Sequence, residues 1–303
     1  MSDFKIKFWG VRGSYPVPGP DTREIGGNTS CVEVNVNGHL IIVDAGTGII
    51  KLGDRLLHEH LKSKKPVVAT ILFSHMHHDH NQGFPFFKPA YLGTSTFYFY
   101  GPHVFQEDIG EVLSRAMLPP FFPVQLSELA SAKKIQNISS QEMILLDHGD
   151  APVVVNRFRE WFEAGPDRVV VEVLKGYAHP TGGILFYKIR FRGKSVVYAS
   201  DTEGYMWGDQ KLIEFCRGAD VLIHDAQYTA REYSDPVSTK QGYGHSTPEM
   251  AIDTARKAGV GRLVLFHHDP EHSDVQVRAL ENSCRKLFPE SVAAYEGLEI
   301  VLF

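Results

Sequence analysis

The strongest constraint in this chain is a run of six residues, His75-Met76-His77-His78-Asp79-His80, directly after the apolar stretch TILFS. Residues two apart in an extended chain face the same way. His75 and His77 can therefore hold one metal ion, and a turn after them lets Asp79 and His80 address a second. His78 then points elsewhere. So many histidines at the end of a buried strand are hard to account for as a solvated turn, so the fold has to deliver this strand end to a metal site.

Other apolar runs end in the same way. IIVDAGTG and VVYASDTEG each run a strand into an Asp and then a Gly, and LVLFHHDPEH runs one into histidines. Four strand ends thus deliver polar groups to one edge of the sheets. Short runs with β-branching and flanking turn residues predict strands over Phe4 to Trp9, Cys31 to Val36, Leu40 to Val43, Val67 to Phe73 and Phe97 to Tyr100. Further strands are predicted over Val169 to Leu174, Ile184 to Phe191, Ser195 to Ala199, Val221 to Ile223, Leu263 to Phe266 and Glu299 to Phe303. The clearest helix is Pro248 to Ala258, with Ser246 and Glu249 at capping-box spacing, Pro248 in the first turn and Gly259 as a stop. Strands in both halves with helices between them predict an α/β sandwich with sheets inside and helices outside.

No Pro/Ser/Gly-rich linker or charge block divides the 303 residues, so one domain spanning 1-303 is expected. The segment 101-168 reads as a cap or insert, with a helix around Val104 to Met117 and an apolar lip formed by Phe121, Phe122, Trp161 and Phe162. Cys31, Cys216 and Cys284 stand far apart with no C-x-x-C pair, which gives no support to a disulfide framework or a thiolate zinc site. The charged start MSDFKIKFWGVRG and the lack of any apolar run near 18 residues imply a cytoplasmic protein that does not cross a membrane. A net charge of −5 argues against a surface built mainly to grip long polyanions.

The histidine run resembles the H-x-H-x-D-H signature of the metallo-β-lactamase superfamily, and the likeness extends along nearly the whole chain. It implies a four-layer αββα sandwich with two mixed sheets inside and helices outside. By the same resemblance, Asp44 is the buried Asp supporting the first loop, Asp201 the carboxylate bridging two metals, and His267, ahead of His268, the last ligand. The remaining ligand is His148 or His179. His179 is chosen because AHPTGG leads into strand ILFYKIRF, a tight RGK turn and strand SVVYAS ending at Asp201, a hairpin that brings His179 and Asp201 to one end. His148 is left as a surface or supporting residue. One metal is then expected on His75, His77 and His179 and the other on Asp79, His80 and His267, with Asp201 between them. Histidine and carboxylate donors suit zinc first, with manganese or iron as alternatives.

GYGHSTPEMA and LIHDAQY further resemble the ribonuclease Z and cyclic phosphodiesterase branch. There the histidine of H-S-T contacts the scissile phosphate or protonates the leaving oxygen. Here that implies His245 as general acid, oriented by Asp225, with Asp79 also in the catalytic set. The WGVRGSYPVPGP and GGNTSC blocks resemble the Gly-rich opening and Asn-Thr-Ser loop of that branch, which places Asn28, with Ser246, near substrate. A separate basic arm for transfer RNA is not evident. The stretch RFREWFEAGPDR balances Arg157, Arg159 and Arg168 against Glu160, Glu163 and Asp167.

The function implied is a dinuclear metal-dependent phosphodiesterase acting on small, cyclic nucleotide-like phosphodiesters by attack of a metal-bridging hydroxide. A transfer-RNA 3′-processing endoribonuclease, a carboxylic ester or lactone hydrolase and a noncatalytic metal-binding sensor are the alternatives. The expected partner is a small phosphodiester rather than a folded nucleic acid or a membrane, with assembly as a homodimer left open.

Overall fold

The structure, a computed structural model, describes residues 4–104, 107–160, 165, 167–179 and 182–303. In chain order its strands are β1 (Phe4–Gly10), β2 (Cys31–Val36), β3 (His39–Val43), β4 (Val68–Leu72), β5 (Thr96–Gly101), β6 (Ala132–Asn137), β7 (Glu142–Leu146) and β8 (Val153–Asn156). They continue as β9 (Val169–Gly176), β10 (Ile184–Phe191), β11 (Lys194–Ala199), β12 (Val221–Asp225), β13 (Arg262–Phe266), β14 (Ser291–Ala293) and β15 (Glu299–Val301). The α-helices are α1 (Gly48–Ser63), α2 (His78–Asn81), α3 (Ile109–Ala116), α4 (Gln210–Cys216), α5 (Ala230–Tyr233), α6 (Pro248–Ala258) and α7 (Asp274–Leu287).

Two mixed sheets form, in the orders β15-β1-β2-β3-β4-β5-β6 and β14-β13-β12-β11-β10-β9-β7-β8. Alternation along the strands explains the layering, because successive side chains point to opposite faces. On β11, Val196 and Tyr198 enter the cluster between the sheets, whereas Val197 and Ala199 pack outward with Leu212 of α4 and Ala251 and Ile252 of α6. On β13 the same split separates Val264 and Phe266 from Leu263 and Leu265. The first sheet repeats it, with Ile42, Ile71, Phe97 and Phe99 packed outward against Ile49 and Leu52 of α1 and Ile109 and Leu113 of α3. Three apolar layers therefore hold four structural layers, helix, sheet, sheet, helix.

The segment 101-168 supplies α3 to one outer face and strands β6, β7 and β8 to the sheet edges. It also contributes Pro102, Val104 and Arg115 to a cavity against His75 and His77. Phe121 is exposed, and Phe122 meets Phe86 edge-on with ring centroids 5.5 Å apart. Trp161 and Phe162, expected in the same lip, lie outside the described residues. Helix α6 spans the predicted residues, but its N-cap is Thr247, whose side chain accepts from the Met250 amide. Ser246 is not free to cap, because its buried hydroxyl donates to the Thr202 carbonyl at 2.5 Å. Among the described residues no helix is long and apolar enough to cross a membrane.

Strands β3 and β4 run parallel, as do β11, β12 and β13. Their carboxyl ends therefore open toward one edge, the usual place for a site in sheets of this kind.

Candidate metal centre

Each strand end contributes through a sharp local change of direction. Asp44 after β3, Asp201 just beyond β11 and His267 after β13 all have positive φ, at 61°, 51° and 61°. For residues with a Cβ such conformations cost about 1–3 kcal/mol each and persist where the surroundings over-determine them. Asp and His tolerate that region better than most side chains. Glycines admit the close approaches: a Cβ on Gly13 would lie 2.4 Å from the His267 ring, and one on Gly46 would lie 2.2 Å from the Asp79 carbonyl oxygen.

Three donor groups result among the described residues, the third, Asp201, Asp225, His245 and His267, overlapping the second. In the first, His75, His77 and His179 bring their ring nitrogens together, with His179 Nε2 3.1 Å from His77 Nδ1. In the second, Asp79, His80, Asp201 and His267 converge, all buried. His80 Nε2 stands 3.3 Å from Asp79 Oδ2 and 3.2 Å from Asp201 Oδ2, and His267 Nε2 stands 3.1 Å from Asp79 Oδ2 and 3.3 Å from Asp201 Oδ1. Asp201 Oδ1 is also 3.8 Å from His75 Nε2, so this carboxylate sits between the first two groups.

The opposite nitrogen of most of these rings is held by the protein. His80 Nδ1 donates to Asp44 Oδ2 at 2.7 Å, His267 Nδ1 to Gln227 Oε1 at 2.8 Å and His179 Nδ1 to the Gly244 carbonyl at 3.1 Å. His75 Nδ1 faces Ser74 Oγ at 3.1 Å. Such outer hydrogen bonds fix the tautomer and aim the free nitrogen inward. Asp44 anchors the arrangement, since it also accepts from the Ser74 amide and hydroxyl and from the Tyr198 hydroxyl. His75 Nε2 is buried without a hydrogen-bond partner. A buried polar atom left in this way, inside a ring of lone pairs, fits a cation, and nitrogen and carboxylate donors without thiolate suit zinc, manganese or iron.

Electrostatics divide the groups. Burial, together with neighbouring imidazoles, lowers the pKa values of His75, His77 and His179, His75 most, so all three stay neutral as ligands must. In the second group burial opposes ionisation, but the charges prevail. His80 and His267 hold the Asp79 carboxyl well below its ordinary range, and His267, His80 and His75 do the same for Asp201. His80 is raised well above its ordinary value by Asp201, Asp79 and Asp44 despite complete burial.

His245 stands beside this centre. Its Nδ1 donates to Asp225 Oδ2 at 2.7 Å, and Asp225 Oδ1 accepts the Ser246 and Gln227 amides. Burial opposes its charge, yet Asp225, with help from Asp201 and Asp79, raises its pKa to about 9. The His245 and His267 rings stack with centroids 5.0 Å apart. The arrangement places an imidazole held by a carboxylate at the edge of a cation-binding centre.

The structure separates the paired histidine candidates. His148 lies at the far end of β3, with Nδ1 3.3 Å from the Asn37 carbonyl, whereas His179 joins His77. His268 turns away and donates from Nε2 to the Ala294 carbonyl, its pKa depressed to about 3 by burial and by Arg12. The remaining expected groups have protein partners. Asn28 donates from its backbone and side-chain nitrogens to Glu296 Oε1 at 2.8 and 2.9 Å, and Ser246 bonds to Thr202 and Asp225.

Several contributors carried little sequence signal. The Ser14 amide donates to Asp79 Oδ2 at 2.8 Å, a backbone contact that side-chain chemistry does not announce. Gln227 and Tyr198 lie next to or inside apolar strands, and each reaches the centre through one side-chain oxygen, Oε1 on His267 and the hydroxyl on Asp44. Glu203 accepts from the Tyr233 hydroxyl and from the Gly242 and Gly244 amides, and so fixes the loop that carries His245. Its position two residues after Asp201 was the available clue.

A family profile described as "Beta-lactamase superfamily domain" matches residues 39–268. Ribonuclease Z of Picrophilus torridus is 25% identical over 98% of this chain and 96% of its own length. Ribonuclease Z of Bacillus subtilis is 26% identical over 81% of this chain and 84% of its own. Among solved structures, the metallo-beta-lactamase fold protein YhfI from Bacillus subtilis superposes with a TM-score of 0.67 at 20% identity, covering 99% of this chain and 100% of that one. With two mixed sheets between helix layers and cation donors at the strand ends, the chain belongs to the beta-lactamase superfamily and is a metal-dependent hydrolase.

Proposed function

We propose that this protein is a dinuclear, cytoplasmic phosphodiesterase for small, cyclic nucleotide-like phosphodiesters. His75, His77 and His179 would hold one cation, and Asp79, His80 and His267 the other, with Asp201 shared. Two divalent cations at such a site, zinc by preference, supply a hydroxide nucleophile near neutral pH and neutralise phosphoryl oxygens. The observation that carries the reading is His245. Its Nδ1 is committed to Asp225, so Nε2 is the atom that carries a proton toward substrate. Asp225 keeps that imidazole charged, and the departing alkoxide takes the proton from Nε2. Ester or lactone hydrolysis also expels an alkoxide, so that alternative is separated by substrate rather than by this pair.

A second reading, transfer-RNA 3′-end cleavage, is favoured by the full-length likeness to proteins named ribonuclease Z. The two readings share the centre and differ in substrate size. The test is turnover of the metal-loaded protein on bis-p-nitrophenyl phosphate, cyclic nucleotides, a transfer-RNA precursor and lactones. Preferential cleavage of cyclic nucleotides is the expected result. Lactone turnover without phosphodiester turnover would overturn the proposal.

A further inference from the structure

Two loops that bear expected metal ligands each raise a tyrosine beside them. Tyr177 precedes His179 by two residues, and Tyr205 follows Asp201 by four. Together with His179, Glu203, Gly204 and Gly242 they line a cavity of about 500 Å³, within the size range of small-molecule sites. Both rings are largely open to solvent, Tyr177 at 67% and Tyr205 at 50%. Neighbouring Met206 and Trp207 are exposed as well. The two tyrosines share this one cavity beside His179, and such a pairing of exposed aromatics marks a contact surface rather than scattered exposure.

The cleft's chemistry is selective. Lysine and arginine are absent from its described lining, and its one carboxylate, Glu203, already accepts from Tyr233 Oη at 2.5 Å, Gly242 N at 2.8 Å and Gly244 N at 3.0 Å. Those bonds fix the loop that forms one wall. What remains is aromatic faces and glycine backbone, with the Lys175 Nζ 5.4 Å from the Tyr177 ring centroid, a lining whose faces suit a planar group. The cavity against His75 and His77, about 340 Å³, has the opposite character, with His103, Glu107 and Arg115 in its lining. Tyrosine supplies such a face at low conformational-entropy cost, and stacking tolerates any base because every base has a π-face.

We propose that the cleft bounded by Tyr177 and Tyr205 is the subsite for the nucleobase of the substrate, seated on the His179 side of the centre. This rests on the phosphodiesterase reading for its substrate, but its test does not depend on turnover. Binding of adenosine 5′-monophosphate and of ribose 5-phosphate to the metal-loaded protein is measured by calorimetry for the native chain and for Tyr177→Ala, Tyr205→Ala and Tyr205→Phe. The native chain is expected to bind the nucleotide at least fivefold more tightly than the base-free sugar phosphate, the lower end of one stacked base. Each alanine variant is expected to lose most of that ratio with ribose 5-phosphate affinity held, and Tyr205→Phe to keep it. Equal affinities in the native chain, or a ratio that survives both alanine variants, would overturn the subsite. If the nucleotide preference and its loss are seen in a protein that cleaves no phosphodiester, the subsite stands and the activity reading falls. Cleavage of phosphodiesters without any preference for the base has the reverse meaning.

Discussion

At the scale of single residues, the centre is a set of ring nitrogens whose outer partners determine where their inner atoms point. On the proposed reading Asp201, which belongs to the second donor group and stands 3.8 Å from His75 of the first, serves both cations, so Asp201→Ala should reduce bound metal at both positions from roughly two expected equivalents per chain, measured by elemental analysis after gel filtration. A fully loaded and active Asp201→Ala protein would rule out the bridging role. His179→Ala should deplete one position, whereas His148→Ala, at the far end of β3, should leave metal content unchanged. His245 calls for a different measurement. His245→Ala should keep its metals and lose about 10²–10⁴-fold in turnover with poor leaving groups. The loss should be smaller with an activated nitrophenolate, which departs without a proton. Uniform losses would make His245 a phosphate-positioning group.

The same pair gives a pH dependence with a definite sign. A general acid works while protonated, so activity is present below the His245 pKa and is lost as pH rises through it. Asp225 is the largest contribution raising that pKa against burial. Asp225→Asn removes the anion and should move the alkaline limb of the rate profile to lower pH. Bound cations act on both proteins alike, so the difference between the two limbs carries the test. An unmoved limb would assign it to another group.

At the scale of elements, the strands that hold the centre were legible because their composition and their position agree. β3, β4, β11, β12 and β13 are short apolar runs buried on both faces, and each runs into Asp or His. Strands β6, β7, β8 and the three-residue β14 were missed. Five of the six residues AKKIQN of β6 are polar or small, and the strand is largely unburied at its sheet's edge, so period-2 alternation is faint. EMILL and VVVN are apolar enough and pair with each other as a hairpin, but they flank a turn in a segment already read as a cap, and the docking of β7 onto β9 is a long-range choice. Loops were the least legible, because their order rests on contacts such as Glu203 with the amides of Gly242 and Gly244. Glu203→Ala should speed hydrogen exchange at those amides and lower turnover with metal retained on Asp79, His80 and His267. Glu203→Gln, which keeps a carbonyl acceptor, should fall between. Unchanged exchange would mean that Tyr233 and the flanking chain hold the loop without it.

At the scale of the whole molecule, the remaining question is how large a substrate the charge distribution admits. A gathering of six cations lies around the β10–β11 turn, where Arg168, Lys188, Arg190, Arg192, Lys194 and Arg217 line one cavity of about 350 Å³. This surface was not visible in a sequence with net charge −5, because its members come from three separate stretches of chain. It does not serve the centre. The turn is at the start of β11 and Asp201 follows its end, about 20 Å away at the rise of an extended strand. Five of the six charges are also answered locally by carboxylates, Arg168 by Asp147 at 2.7 Å, Arg190 by Glu172 at 2.6 Å, Lys194 by Asp220 at 2.7 Å, Arg217 by Glu214 at 2.6 Å and Arg192 by Asp167, while Lys188 donates to the Phe215 carbonyl at 3.0 Å. A folded RNA gains affinity by exchanging its counterions for cations, and cations already matched by carboxylates have little to exchange. Cleavage of cyclic nucleotides should therefore exceed cleavage of a transfer-RNA precursor by kcat/KM at physiological salt, and affinity for the precursor should fall only shallowly as salt rises. A better rate on the precursor, with a steep salt dependence, would show that these pairs open to take RNA and that the centre serves the larger substrate.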